Sequence, residues 1–164
     1  MQRLSHKFIF AIIIGIFILD LITKLLVKNY FSLGEVLTVI PNFFNLTYRL
    51  NDGVAFSMLA NMPYNYLIFS IIAISVSIFI MYIIIVNKSL LFFERLGYTF
   101  IVSGALGNAN DRIFFKEHAV VDFLDFYYKG YHWPAFNVAD SVICIGVALL
   151  FFNIIFAAKF KQIK

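Results

Sequence analysis

Four long stretches of the chain are dominated by apolar side chains: Phe8 to Val27, Tyr64 to Val86, Leu96 to about Phe115, and Val138 to Ala158. A helix needs about 20 such residues to cross the hydrocarbon of a bilayer, so the pattern predicts four membrane-spanning helices. The third is the least clean, because its later part carries Asn108, Asn110, Asp111 and Arg112. The first follows the basic segment "MQRLSHK", as a secretory signal would. It runs into "DLITK" rather than small residues suited to cleavage, and is expected to remain as a helix. Between the first two spans, "EVLTVIPNFFNLTYRL" mixes β-branched, aromatic and Asn/Thr residues with turn residues at Pro41 and Asn42. That mixture predicts short strands or a hairpin over about 34–56. Asn61–Pro63 reads as a turn.

Composition agrees with the pattern. The 164 residues are 62% hydrophobic and 13% charged, where a soluble domain has roughly 25% charged residues. The expectation is a single integral membrane domain over 1–164. The net charge of +4 lies in short clusters between apolar runs, not in a basic stripe, so it reads as topology and not as a nucleic-acid surface. Arg3 and Lys7, then Lys88 and Arg95, then Lys159, Lys161 and Lys164 mark one side of the membrane. The other two loops offset their basic residues with Glu35, Asp52, Glu117, Asp122 and Asp125. The positive-inside rule then puts both termini in the cytoplasm and segments 28–63 and 112–137 outside. Cys144 has no partner for a disulfide, and His6, His118 and His132 show no metal spacing, so no metal or other cofactor is expected. Trp133, Tyr127, Tyr128 and Tyr131 fit an interfacial aromatic belt.

On this topology every concentrated polar element falls at the outer face, and the inner halves of the spans look nearly featureless. Charges at membrane depth are costly, so several at one level suggest groups that compensate one another around a shared site. Most have an ordinary structural reading as well. Asp20 and Lys24 are spaced for a salt bridge along one helix face. Asp111 and Arg112 suit an ion-pair network, Gly104 and Gly107 close helix packing, and Asn51 and Gly53 turn chemistry. Asp122 in "VVDFLDF" and Asp140 in "FNVADS" differ, because neither has a basic residue within one helical turn in sequence. Two such carboxylates in a partly dry place can share a proton and hold a water between them. That arrangement serves peptide hydrolysis without a metal or a nucleophilic side chain. Asp125 is a rival partner for either. A small transporter, with Asp20, Asp111 and Asp140 on an ion path, is the alternative class, but a path needs polar residues through the whole membrane.

Five motifs in order, "DLITK" at 20–24, "NDGVAF" at 51–56, "GALGNANDR" at 104–112, "VVDF" at 120–123 and "FNVADS" at 136–141, resemble those of bacterial lipoprotein signal peptidases, the type II intramembrane aspartic proteases. The resemblance covers nearly the whole chain. It implies an all-α membrane protein with four transmembrane helices and an extracytoplasmic β-cradle between helices 1 and 2. A short extracytoplasmic helix or loop would lie between helices 3 and 4. It implies Asp122 and Asp140 as the catalytic pair, supported by Asp20, Lys24, Asn51, Gly53, Gly104, Asn108, Arg112, Asn137 and Ala139. The implied substrate is a prolipoprotein cut before its diacylglyceryl-modified cysteine, at the outer face of the bacterial cytoplasmic membrane. Membrane lipids are the other expected partner. Four spans can enclose the site, so a monomer is expected. Val54, where many relatives have Ala, and Asn110, where an aliphatic residue is commoner, are small departures away from the pair.

Overall fold

The computed structural model describes residues 4–53 and 64–161, with side chains up to Ile155. Val54, the last part of the expected strand segment and the turn at Asn61–Pro63 lie outside the described residues. Four helices and four strands follow in the order α1 (His6–Tyr30), β1 (Val36–Ile40), β2 (Phe44–Asn51), α2 (Asn65–Val86), α3 (Phe92–Phe114), β3 (Val120–Tyr128), β4 (Tyr131–His132) and α4 (Val138–Lys161). The helices fall on the four apolar stretches: α1, α3 and α4 run a few residues beyond theirs at one or both ends, and α2 begins one residue inside its own.

Burial along α1 is inverted relative to a water-soluble helix. Its buried residues are Ile9, Ile13, Asp20, Lys24 and Val27, while Phe8, Phe10, Ile14, Ile18 and Leu19 are exposed. Such an outward apolar surface is stable only against lipid or another apolar partner. α1, α2 and α4 are long and apolar enough to cross a membrane. α3 does not meet that measure of hydropathy, and its place in the bundle explains why. It packs against α1, α2 and α4, so most of its surface meets protein. Arg95, Thr99, Ser103, Gly107 and Asp111 recur every fourth residue on one buried side of it. The Thr99 and Ser103 hydroxyls donate to carbonyls one turn back, as do Ser70 and Ser77 on α2. The far half of the bundle is therefore not featureless, but these hydroxyls are closed on their own helices and offer no open path. Arg95 is fully buried there and donates to the carbonyls of Leu4 and Ile84, tying the chain's start to the end of α2.

α3 and α4 approach closely through small residues. A Cβ at Gly97 would stand 2.8 Å from the Gly146 carbonyl oxygen, and one at Gly146 would stand 2.6 Å from that of Gly97. A Cβ at Gly104 would overlap the carbonyl oxygen of Ala139. Small residues at such crossings let helix backbones meet where lipid supplies no hydrophobic drive.

The strands form one antiparallel sheet in the order β1-β2-β3-β4. This corrects two expectations. The fold is not all-α, and the connection between α3 and α4 contains no short helix: it is a strand and hairpin that complete the sheet begun between α1 and α2. Lys129 and Gly130 both have positive φ at the tip of that hairpin, as the tight turns matching strand twist require. The core has two parts. Leu4, Ile9, Ile13, Ile80, Ile84 and Val102 pack at the far end of the bundle, and Val27, Tyr48, Val121 and Phe123 pack where the sheet meets α1. Asp20 and Lys24 lie between them along α1.

Candidate active site

The register of the sheet decides which side chains can meet. β2 pairs with β3 as Leu46 to Leu124 and then as Arg49 to Asp122, so β2 carries one extra residue in between. Side chains alternate faces along a strand, and such a bulge switches the face of everything beyond it. It puts Asn51 on the face of Asp122, where Leu50 would otherwise stand. Asn51 Nδ2 then donates to Asp122 Oδ2 at 3.1 Å. The same alternation turns Asp125 to the opposite face. There it accepts from Asn45 Nδ2 at 2.9 Å and faces His132 Nδ1 at 2.8 Å, so the rival to Asp122 is engaged elsewhere.

Asp140 is fixed by the start of α4. Asn137 Oδ1 accepts from Asp140 N at 2.9 Å, and Asp140 Oδ2 accepts from Asn137 N at 3.2 Å, a reciprocal cap of the helix terminus. The other carboxylate oxygen accepts from Asn108 Nδ2 on α3 at 2.7 Å. Asn137 also donates from Nδ2 to Asp122 Oδ1 at 2.8 Å. One asparagine thus holds both carboxyl groups, Asp122 through its side chain and Asp140 through its backbone.

The remaining expected residues join the same network. Lys24 pairs with Asp20 at 2.7 Å and with Asp111 at 2.8 Å, and donates to Asn108 Oδ1 at 3.0 Å. Asp20 does more than pair with Lys24: its Oδ1 accepts from Ala139 N at 2.9 Å, a second cap on α4 supplied from α1. Gly107 leaves room for it, since a Cβ there would stand 2.6 Å from Asp20 Oδ2. Ala139 is fully buried against Gly104. Arg112 donates to the Gly53 carbonyl at 2.7 Å and lies 5.5 Å over the Phe69 ring, while Gly53 N donates to Asn51 Oδ1 at 3.1 Å. Asp111 enters an ion-pair network, as the sequence suggested, but with Lys24 and not with Arg112. As neighbours on a helix the two point apart, and Asp111 instead takes Lys24 and the backbone N–H of Val121.

A cavity of about 820 Å³ opens onto this network. Asp122, Asp140, Asn51, Asn108 and Arg112 form its polar end, and Phe69, Ile72, Val76, Ile143 and Cys144 continue it as an apolar channel between α2 and α4. Trp133 to Phe136 line it as well. Sequence reasoning had assigned Trp133 only to an interfacial belt and Phe136 only to a motif, although both stand within seven residues of Asp140. Burial pushes the Asp122 carboxyl up to about 7, reinforced by the charge of Asp140 and opposed by the hydrogen bonds from Asn51 and Asn137. Burial raises Asp125 too, but the hydrogen bonds from Asn45 and His132 outweigh it and hold that carboxyl below its usual range.

Membrane-length helices are capped by a sheet, and two carboxyl groups are bridged at the head of an apolar channel, the arrangement of a membrane protein with one concentrated polar site. Residues 12–156 match the family described as signal peptidase (SPase) II. A lipoprotein signal peptidase of Histophilus somni (strain 2336) is 45% identical over 135 residues, covering 82% of this chain and 80% of its own. One from Geobacter sulfurreducens (strain ATCC 51573 / DSM 12127 / PCA) is 41% identical over 152 residues, covering 89% and 90%. A solved structure described as a bacterial membrane enzyme superposes with a TM-score of 0.87 at 31% identity, over 99% of this chain and 96% of that one. The chain belongs to the signal peptidase II family and is a multi-pass membrane protein.

Proposed function

We propose that the chain removes signal peptides from lipid-modified prolipoproteins, cutting before the lipidated cysteine, with Asp122 and Asp140 as the catalytic pair. The observation that carries the reading is the position of both carboxyl groups, bridged by Asn137, at the polar head of an apolar channel. A signal peptide is itself an apolar helix, and acyl chains need an apolar path. The channel between α2 and α4 offers both a way in from lipid.

Asp122 holds its proton up to about pH 7. Asp140, in the first turn of α4, accepts from Asn108 Nδ2 and Asn137 N, and in this reading it starts as the base and Asp122 as the acid. A water held between them attacks the scissile carbonyl carbon and gives its proton to Asp140, while Asp122 donates to the carbonyl oxygen. Collapse of the tetrahedral intermediate returns that proton to Asp122 and moves the one on Asp140 to the leaving nitrogen. The C–N bond breaks, leaving a carboxyl end on the signal peptide and a free amine on the cysteine. Arg112 lines the cavity beside the pair, where its guanidinium is suited to a substrate carbonyl.

In this reading all four helices cross the cytoplasmic membrane with both termini inside, the sheet lies at the outer surface, and the chain works as a monomer. Purified protein in detergent, given a diacylglyceryl-modified prolipoprotein, is expected to produce the shorter band on a gel. Asp122→Asn and Asp140→Asn are each expected to produce none while remaining folded, and the unlipidated substrate is expected to stay intact. Cleavage by either variant refutes the pair.

A further inference from the structure

Lys24 is fully buried, does not line the cavity, and makes no direct hydrogen bond or ion pair to either carboxyl group of the pair. Its surroundings nevertheless bear on both. An ammonium has three donors and no acceptor. Here the three are used completely, on Asp20 Oδ2, Asp111 Oδ2 and Asn108 Oδ1. Any group that replaces one of those acceptors with a donor is repelled.

This matters most for Asn108, because an amide can be turned end for end. In the observed sense its carbonyl faces Lys24 and its Nδ2 donates to Asp140. The same carbonyl accepts from Asn137 Nδ2 at 3.2 Å, the amide that also donates to Asp122. Turned over, Asn108 would set an N–H against the ammonium and against the Asn137 amide, and a carbonyl oxygen against the Asp140 carboxylate. Every one of those contacts is donor on donor or acceptor on acceptor. A neutral residue at position 24 imposes no such choice.

We infer that Lys24 is a positioning residue for both carboxyl groups, acting through the amide sense of Asn108, which it reinforces alongside Asn137 and Asp140 by donating to the carbonyl end alone. The inference rests on the reading of Asp122 and Asp140 as the catalytic pair. It differs from a role confined to neutralising Asp20 and Asp111, which would stabilise the fold without reaching the reaction. The charged groups gathered on the pair are Lys24 and Asp20 from α1, Asp111 and Arg112 from α3, and each member of the pair from β3 and α4. Arg49 of β2, directly opposite Asp122, is exposed. Three buried carboxyl groups and the partly buried Asp140 thus share two buried cations, and loss of Lys24 strengthens the hold of Asp122 on its proton.

The test compares Lys24→Met, Asn108→Ala and the double variant in the lipidated-substrate assay, with rates counted per folded molecule. Lys24→Met is expected to lower kcat on the order of 100-fold, the size of effect that a small misplacement of reacting groups produces. KM is expected to stay unchanged, because Lys24 is not on the cavity wall. The alkaline limb of the kcat/KM profile is expected to move to higher pH. The double variant is expected to be no slower than Asn108→Ala alone. If the two losses multiply, or if the alkaline limb stays in place, Lys24 is structural only and the inference is wrong. Should Lys24→Met fail to fold, Lys24→Gln keeps an N–H for the Asn108 carbonyl without the charge. It is then expected to keep part of kcat while still showing the shifted limb, and an unshifted limb again overturns the inference. Asp122→Asn and Asp140→Asn run in the same assay keep the two readings apart. Activity in either removes the catalytic pair itself, whereas their silence beside an undisturbed Lys24→Met removes only the role given to Lys24.

Discussion

Asp122 and Asp140 have the same side chain in different fields. Asp122 stands on a strand under cover, and its proton leaves at about pH 7 rather than near 3.8. The unfolded chain releases that proton first, so rising pH costs the folded state stability between about 4 and 7, after which the loss is complete. Asp122→Asn has no such proton. Its melting temperature relative to wild type is expected to rise between about pH 5 and about pH 8 in detergent thermal scans, even as its cleavage is expected to be lost. A constant difference would mean that Asp122 titrates as it does in the unfolded chain. The two carboxyl groups stand out in the sequence because no cation lies close to either along the chain, and the structure brings them to one asparagine. What was not legible depends on contacts across elements. Asp20 was readable as a partner of Lys24, but its cap on α4 joins residues far apart in sequence. Likewise Asp125 could be set aside only once strand alternation and the position of Asn45 were fixed.

At the scale of elements, the joint between α3 and α4 carries the site, because Asn108 is on one and Asp140 on the other. Gly104→Ala is expected to push the two apart, since its Cβ would overlap the Ala139 carbonyl oxygen and stand 2.6 Å from Ile143 Cγ1. A cost of about 1–3 kcal/mol is expected from such overpacking, with a larger fractional loss of cleavage than of folded protein. Gly15→Ala, with nothing within 4 Å of the added atom, is the control and is expected to change neither. Thermal unfolding and cleavage rate on the same samples check both. The four helices were legible from apolar length alone, three of them apolar enough to cross a membrane. The β3–β4 hairpin also had a local signal, β-forming residues from Val120 to Tyr128 followed by Lys129–Gly130, but the expected helix or loop took precedence over it. The bulge in β2 had no local signal, for it exists only relative to the register of β3.

At the scale of the whole molecule, α3 is surrounded by the other helices and the sheet closes one end of the bundle, so the polar network lies at that end and the channel opens sideways between α2 and α4. The proposed orientation is tested by single cysteines in a Cys144→Ser background. Leu37→Cys on exposed β1 is expected to react with an impermeant thiol reagent added outside intact cells. Ser89→Cys, exposed between α2 and α3, is expected to react only after the cells are opened. The reverse pattern would invert the topology. The burial of α3 also bears on how the chain is made. α3 carries charges towards both ends, at Arg95, Asp111 and Arg112, and is less apolar than the other three helices, so it is a poor candidate to partition into lipid on its own as it leaves the ribosome. Its closest neighbour, α4, is synthesised last. The third crossing becomes favourable only when the fourth arrives to cover it, and that arrival also delivers Asp140 to Asn108. Insertion of the chain and assembly of its catalytic centre are, on this account, a single late event in biogenesis, and a nascent chain halted before α4 has neither.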